Sequence, residues 1–110
     1  MATESFKSIT FHEDASASGV GTSLDVERAT LLTVEIFGTA TSSNVKFEAQ
    51  VNSNNWAPVA GINLATLTNN TETSGKSEIW QISLAGLTKI RMNLTAVDGG
   101  SITVTGRTTS

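Results

Sequence analysis

The chain has 110 residues and a formal charge of −3, from seven Lys and Arg against ten Asp and Glu. It has no Cys, one His, one Pro and only 15% charged residues. That excludes disulfide staples, thiolate metal sites and the cation-rich surface that nucleic-acid binding needs. One core fits this length, 38% apolar residues are enough to build it, and no apolar run approaches the roughly 18 residues of a membrane span.

Residues 1–6 form an expected N-terminal arm. Ala2, Thr3, Glu4 and Ser5 show no core pattern, and the start lacks the basic and apolar segments of a secretory leader. From there the dominant signal is period two, which in a strand gives one dry and one wet face. Ile9 and Phe11 open it (strand 6–12), and Val20, Leu24 and Val26 continue it weakly (19–27). Leu32, Val34 and Ile36 face away from Thr33 and Glu35 (31–37). Val45, Phe47, Ala49 and Val51 alternate with polar residues (45–51), and Asn52–Asn55 reads as a hairpin loop into a strand at 56–60. A short element is expected at 62–68, where Gly61 and the Thr residues weaken a helical turn, and a polar loop at 68–76. Trp80, Ile82 and Leu84 share a face (78–84), as do Ile90, Met92, Leu94 and Ala96 (89–96). Asp98-Gly99-Gly100 carries a strong hairpin signal before the last strand at 101–107, and residues 108–110 are expected to fray. The 17 Thr and 13 Ser suit wet strand faces and turns. The expectation is one all-β domain over 7–107, an antiparallel β-sandwich of about eight strands with jelly-roll-like topology.

Chemistry-bearing clusters are sparse. His12-Glu13-Asp14 is the one cluster with metal-ligand residue types, but neighbours in a strand point to opposite faces, so a solvated strand end is expected. Asp14, Asp25 and Asp98 could serve calcium only if backbone carbonyls joined them, and no EF-hand spacing is present. Glu35 and Glu48 lie on polar strand faces and read as solvated charges, not as an acid/base pair. Gly19-Val-Gly21 lacks the lysine and helix of a phosphate loop. Asn69 and Asn93 begin Asn-x-Thr triplets that a Thr-rich chain produces by chance. Trp80 falls in register with the core, whereas Trp56 follows a loop and could offer an exposed ring to a glycan. No cofactor, metal or catalytic residue is expected, and the chain reads as a non-enzyme. Charge is distributed unevenly: residues 1–35 hold six acids and two bases, residues 86–110 one acid and three bases. Such asymmetry can orient a subunit against a neighbour.

Val34 to Ala49 (VEIFGTATSSNVKFEA), Trp56 to Val59, Ile79 to Leu94 (IWQISLAGLTKIRMNL) and Asp98 to Gly106 (DGGSITVTG) follow one another in an order of strands and turns. This order resembles small β-sandwich domains of tailed bacteriophages, found in head fibres, capsid decoration proteins and tail modules. The resemblance covers about residues 30–107 and rests on strand pattern, so no functional residue carries over. Head fibres usually add a long fibrous segment, which this chain lacks. The resemblance therefore implies a globular virion protein on the capsid surface, made in the host bacterial cytoplasm. It would bind the major capsid protein and stabilise the shell as a homo-oligomer, a trimer on threefold sites, with no nucleic-acid or membrane partner. The expected contacts are Thr3, Glu4, Phe6, Lys89, Arg91 and Arg107. The alternative is a carbohydrate- or receptor-binding module of a fibre or tail, with Trp56 on the glycan.

Overall fold

A computed structural model describes residues 6–73, 75 and 77–110. The expected arm contacts Thr3 and Glu4 lie outside the described residues. Among the described residues ten strands form: β1 (Phe6–Ala15), β2 (Leu24–Asp25), β3 (Leu31–Gly38), β4 (Ser42–Gln50), β5 (Ala57–Pro58), β6 (Gly61–Asn63), β7 (Asn69–Asn70), β8 (Glu78–Ser83), β9 (Lys89–Asp98) and β10 (Ile102–Thr109). They make a β-sandwich of a six-stranded sheet, β1-β10-β3-β8-β6-β7, and a four-stranded sheet, β2-β9-β4-β5. Every strand pairing is antiparallel.

The alternating faces meet between the sheets. Leu32, Val34, Ile36, Trp80, Ile82, Ile102 and Val104 from one sheet face Val45, Phe47, Ile90, Met92 and Leu94 from the other, all nearly inaccessible to water. Burying each Val, Leu, Ile, Phe or Met side chain contributes about 1.5–3 kcal/mol before entropy is charged against it. Trp80 packs edge-on against Phe47 with ring centroids 5.2 Å apart, and its Nε1 donates to Glu78 Oε1 at 2.9 Å. Both needs of a buried indole, apolar contact and a polar partner, are met.

Several expectations shift. Asp98-Gly99-Gly100 does not close a hairpin, because β9 pairs with β4 and β2 while β10 pairs with β1 and β3. Instead the chain crosses between sheets there, beside the β3–β4 crossing. The two crossings are stitched by Thr41 N to Asp98 O and by Thr39 N and Ala40 N to Ser101 O. Of the expected strand 19–27, two residues pair as β2 and Gly19 forms a single bridge to Leu94. Ala96 is exposed, although it continues the apolar row of β9, because Thr95 is an extra residue between the pairs Val45–Leu94 and Asn44–Ala96. One inserted residue turns all that follow to the other face. Val51 is likewise 52% exposed and Gln50 is buried, since β4 ends where the Gln50 carbonyl accepts from Thr88 N and Oγ1. The last strand does not fray at 108: Thr108 is buried and the Thr109 carbonyl accepts from Thr30 N.

Gly21 packs directly on β1. Its φ is +66°, and a Cβ there would stand 2.5 Å from the Phe11 carbonyl and 2.6 Å from the His12 ring. The ring it packs on spans the sheets, with Nε2 donating to the Met92 carbonyl at 2.7 Å. His12 is therefore a half-buried cross-tie, not the solvated strand end expected from its neighbours.

Candidate functional site

The sandwich offers two outer faces, and the expected contact residues divide between them. On the four-stranded sheet, β4 and β9 pair so that Glu48 lies opposite Arg91, Lys46 opposite Asn93 and Gln50 opposite Lys89. Arg91 is the hub. Its Nε donates to Glu48 Oε1 at 2.8 Å, and its guanidinium carbon sits 4.2 Å from the centre of the Trp56 ring. Asn93 Nδ2 donates to the other Glu48 oxygen at 3.3 Å. The Arg91 and Glu48 side chains are only 20% and 18% exposed, so water screens this pair less than an ordinary surface pair. Glu48 is thus not the solvated charge its alternating strand suggested. Lys89 reaches Asp25 at 3.8 Å with both side chains largely exposed, a contact worth little on its own.

Trp56 is half-buried. One face of its ring is taken by Arg91, which leaves less of it for a sugar than a free platform would offer. The backbone explains its position: the Asn52–Asn55 turn leads into β5, whose Ala57 and Pro58 pair with Ala49 and Glu48. This is the hairpin the Asn cluster predicted. Pro58 suits an edge strand because its missing N–H is not needed there.

The second face is the outside of the six-stranded sheet. Side chains line up across β1, β10, β3 and β8 in rows: Phe6, Thr109, Leu31, Ser83; then Ser8, Arg107, Thr33, Gln81; then Thr10, Thr105, Glu35, Ile79. Between the rows lies an open groove of about 590 Å³. The Arg107 guanidinium stacks over Phe6 at 4.2 Å. Of the expected contact residues, Phe6 and Arg107 thus lie together on this sheet, and Lys89 and Arg91 on the other.

Among the described residues no three His, Asp or Glu side chains converge. Asp25 pairs with Lys89, while the Asp14 N–H donates to Thr103 Oγ1. Asn93 has its amide engaged by Glu48, and Asn69 lies exposed in β7. The residue that sequence reasoning missed is Glu48. Its polar-face position was readable, but its partner stands 43 residues away in a strand whose pairing no local signal reveals.

The XepA family model matches residues 5–108. In Bacillus subtilis (strain 168), the phage-like element PBSX protein XepA is 35% identical over 100 residues, covering 91% of this chain and 36% of XepA. YqxG of the same organism is 34% identical, covering 93% of this chain and 34% of its own length. The SPbeta prophage-derived protein YomS, also from that strain, is 32% identical, covering 90% of this chain and 83% of YomS. The chain thus spans about a third of the length of XepA and YqxG. The crystal structure of YomS superposes with a TM-score of 0.93 at 30% identity, over 100% of this chain and 97% of that one. That of the PBSX exported protein XepA gives 0.97 at 32%, over 100% of this chain and 39% of that one.

Proposed function

From the premise that the chain belongs to the XepA family and is of phage origin, we propose that it is a non-enzymatic accessory protein that works by docking on a surface. The surface proposed is the phage particle itself, with the major capsid protein as partner, so that the chain decorates and stabilises the head. The observation carrying this reading is the Glu48–Arg91–Trp56 network on the four-stranded sheet. Trp and Arg are the residue types that dominate protein interfaces, and these two are already held in place. A pre-ordered pair loses little rotamer freedom on docking. Oligomerisation over a symmetry axis of the shell would add avidity, because several modest contacts then act together. A trimer matches a threefold position.

The test is pelleting of the purified protein with purified particles. Trp56→Ala and Arg91→Ala should each weaken binding by about tenfold or more, whereas Lys89→Ala should change it little. Undiminished pelleting of the Arg91 variant overturns this face as the docking surface. A truncation that begins at Lys7 tests the arm separately: unchanged pelleting removes residues 1–6 from the contact.

A second reading is a carbohydrate- or receptor-binding module of a fibre or tail. It is favoured by the description of XepA as an exported protein, since an exported protein meets envelope polymers. Glycan affinity lost on Trp56→Ala, with no pelleting on heads, would select it.

A further inference from the structure

We propose that the groove on the outer face of the six-stranded sheet binds a glycan strand bearing an anionic substituent, with Arg107 on the anion and Glu35 on the sugar hydroxyls. The site lies on the opposite sheet from Arg91 and Trp56 and does not rest on the particle-docking reading.

Three features of the groove carry the proposal. The first is an ion pair that does not form. Thr105 lies opposite Glu35 and Arg107 opposite Thr33, so Arg107 and Glu35 are diagonal neighbours on one face, about 7–8 Å apart and within reach of long side chains. Among the described residues they make no ion pair, because the Arg107 guanidinium is stacked on Phe6, towards β1 and away from β3. Phe6 thereby keeps two opposite charges separated across an open groove of about 590 Å³, a volume in the range of small-ligand sites. The guanidinium fork keeps its hydrogen-bond donors for a carboxylate or phosphate, which it can take in a bidentate manner.

The second feature is the lining. Ser8, Thr10 and Thr105 present hydroxyls, each able to donate and accept, around the charged pair, and Thr33, whose hydroxyl accepts from Gln81 Nε2 at 3.3 Å, keeps its proton to donate. Ile79, 44% exposed, supplies an apolar patch suited to the C–H face of a sugar ring. A ligand dense in hydroxyls with an occasional anion matches this lining.

The third is what the groove does not offer. Its floor consists of β10 and β3, both paired on each side, so their backbone groups are already bonded within the sheet. An extended peptide could not add as a strand here and would find only side chains, with no free backbone groups to pair with. The chemistry favours a polyol over a polypeptide.

Isothermal titration of the full chain with three probes tests the proposal: a uronic-acid oligosaccharide, a neutral hexose oligosaccharide of equal length, and the same hexose oligosaccharide carrying a phosphate. At least one anionic probe should bind saturably, and about tenfold or more tighter than the neutral one. Which of the two binds identifies the anion as carboxylate or phosphate. Arg107→Ala should lose that tenfold preference while unfolding at close to the wild-type temperature, since Arg107 is exposed. Phe6→Ala should also lose it, as Arg107 becomes free to fall onto Glu35. The proposal is overturned if neither anionic probe binds, if the neutral probe binds as tightly, or if Arg107→Ala binds as the wild type does.

Discussion

Arg91→Ala is the substitution that most directly measures how firmly the four-stranded face is organised. It removes two interactions at once. The ion pair with Glu48 is short, 2.8 Å, with side chains 20% and 18% exposed. It therefore falls between exposed pairs, worth about 0–1 kcal/mol, and buried ones, whose breakage costs about 3–5 kcal/mol. About 1–1.5 kcal/mol is reasonable, part of it from leaving the Glu48 carboxylate with only Asn93 Nδ2 at 3.3 Å. The stack of Arg91 on Trp56 adds about 0.5–1 kcal/mol. The sum is about 2 kcal/mol, which for a domain of this size lowers Tm by roughly 10 °C. Thermal unfolding followed by circular dichroism reads the loss. Arg91→Lys separates the parts, since it keeps the charge but not the planar fork, and should lose about half as much. A double-mutant cycle with Glu48→Gln should give a coupling of about 1 kcal/mol. A Tm within about 2 °C of wild type for Arg91→Ala would refute the reasoning, showing that the pair is solvated and the face unorganised.

Gly21→Ala should destabilise by about 2 kcal/mol or more, since it combines left-handed backbone strain with a clash on the His12 ring; urea unfolding checks it. Phe47→Ala should cost about 3–5 kcal/mol, because it empties a fully buried site and removes the edge-on contact with Trp80; the same assay and a change in Trp80 fluorescence report it. Gly106→Ala should cost about 1–3 kcal/mol, as its Cβ would stand 2.8 Å from Leu32 Cδ1 and 2.9 Å from Phe11 Cε2. A neutral result at Gly106 would mean that the β1 edge shifts freely over the core.

The strand faces were legible because one side of each sheet is dry. Val34, Phe47, Trp80, Met92 and Val104 all sit where period two puts them. The Asn52–Asn55 hairpin was legible because its turn residues set its geometry. What local pattern cannot carry is pairing. Asp98-Gly99-Gly100 specifies a sharp turn, but whether the turn stays in one sheet or crosses to the other depends on partners 39 to 78 residues away. The bulge at Thr95 likewise has no compositional mark, and it alone turns Ala96 outward. The candidate sites follow the same rule. Arg91 and Arg107 were readable as bases of the C-terminal third, Phe6 as part of an N-terminal arm and Trp56 as a ring following a loop. Their grouping into Arg91 with Trp56 and Glu48 on one sheet, and Phe6 with Arg107 on the other, arises only from long-range register.

In the proposed reading each grouping serves one task, particle docking through Arg91 and Trp56 and ligand binding through Arg107. Density-gradient fractionation of a phage lysate, with this chain tracked by antibody across full heads, empty heads, tails and the soluble fraction, tests the docking most directly. The account predicts that the wild-type chain bands with heads and that Arg91→Ala moves to the soluble fraction. Wild-type chain found only in the soluble fraction, or an Arg91→Ala chain that still bands with heads, would contradict it.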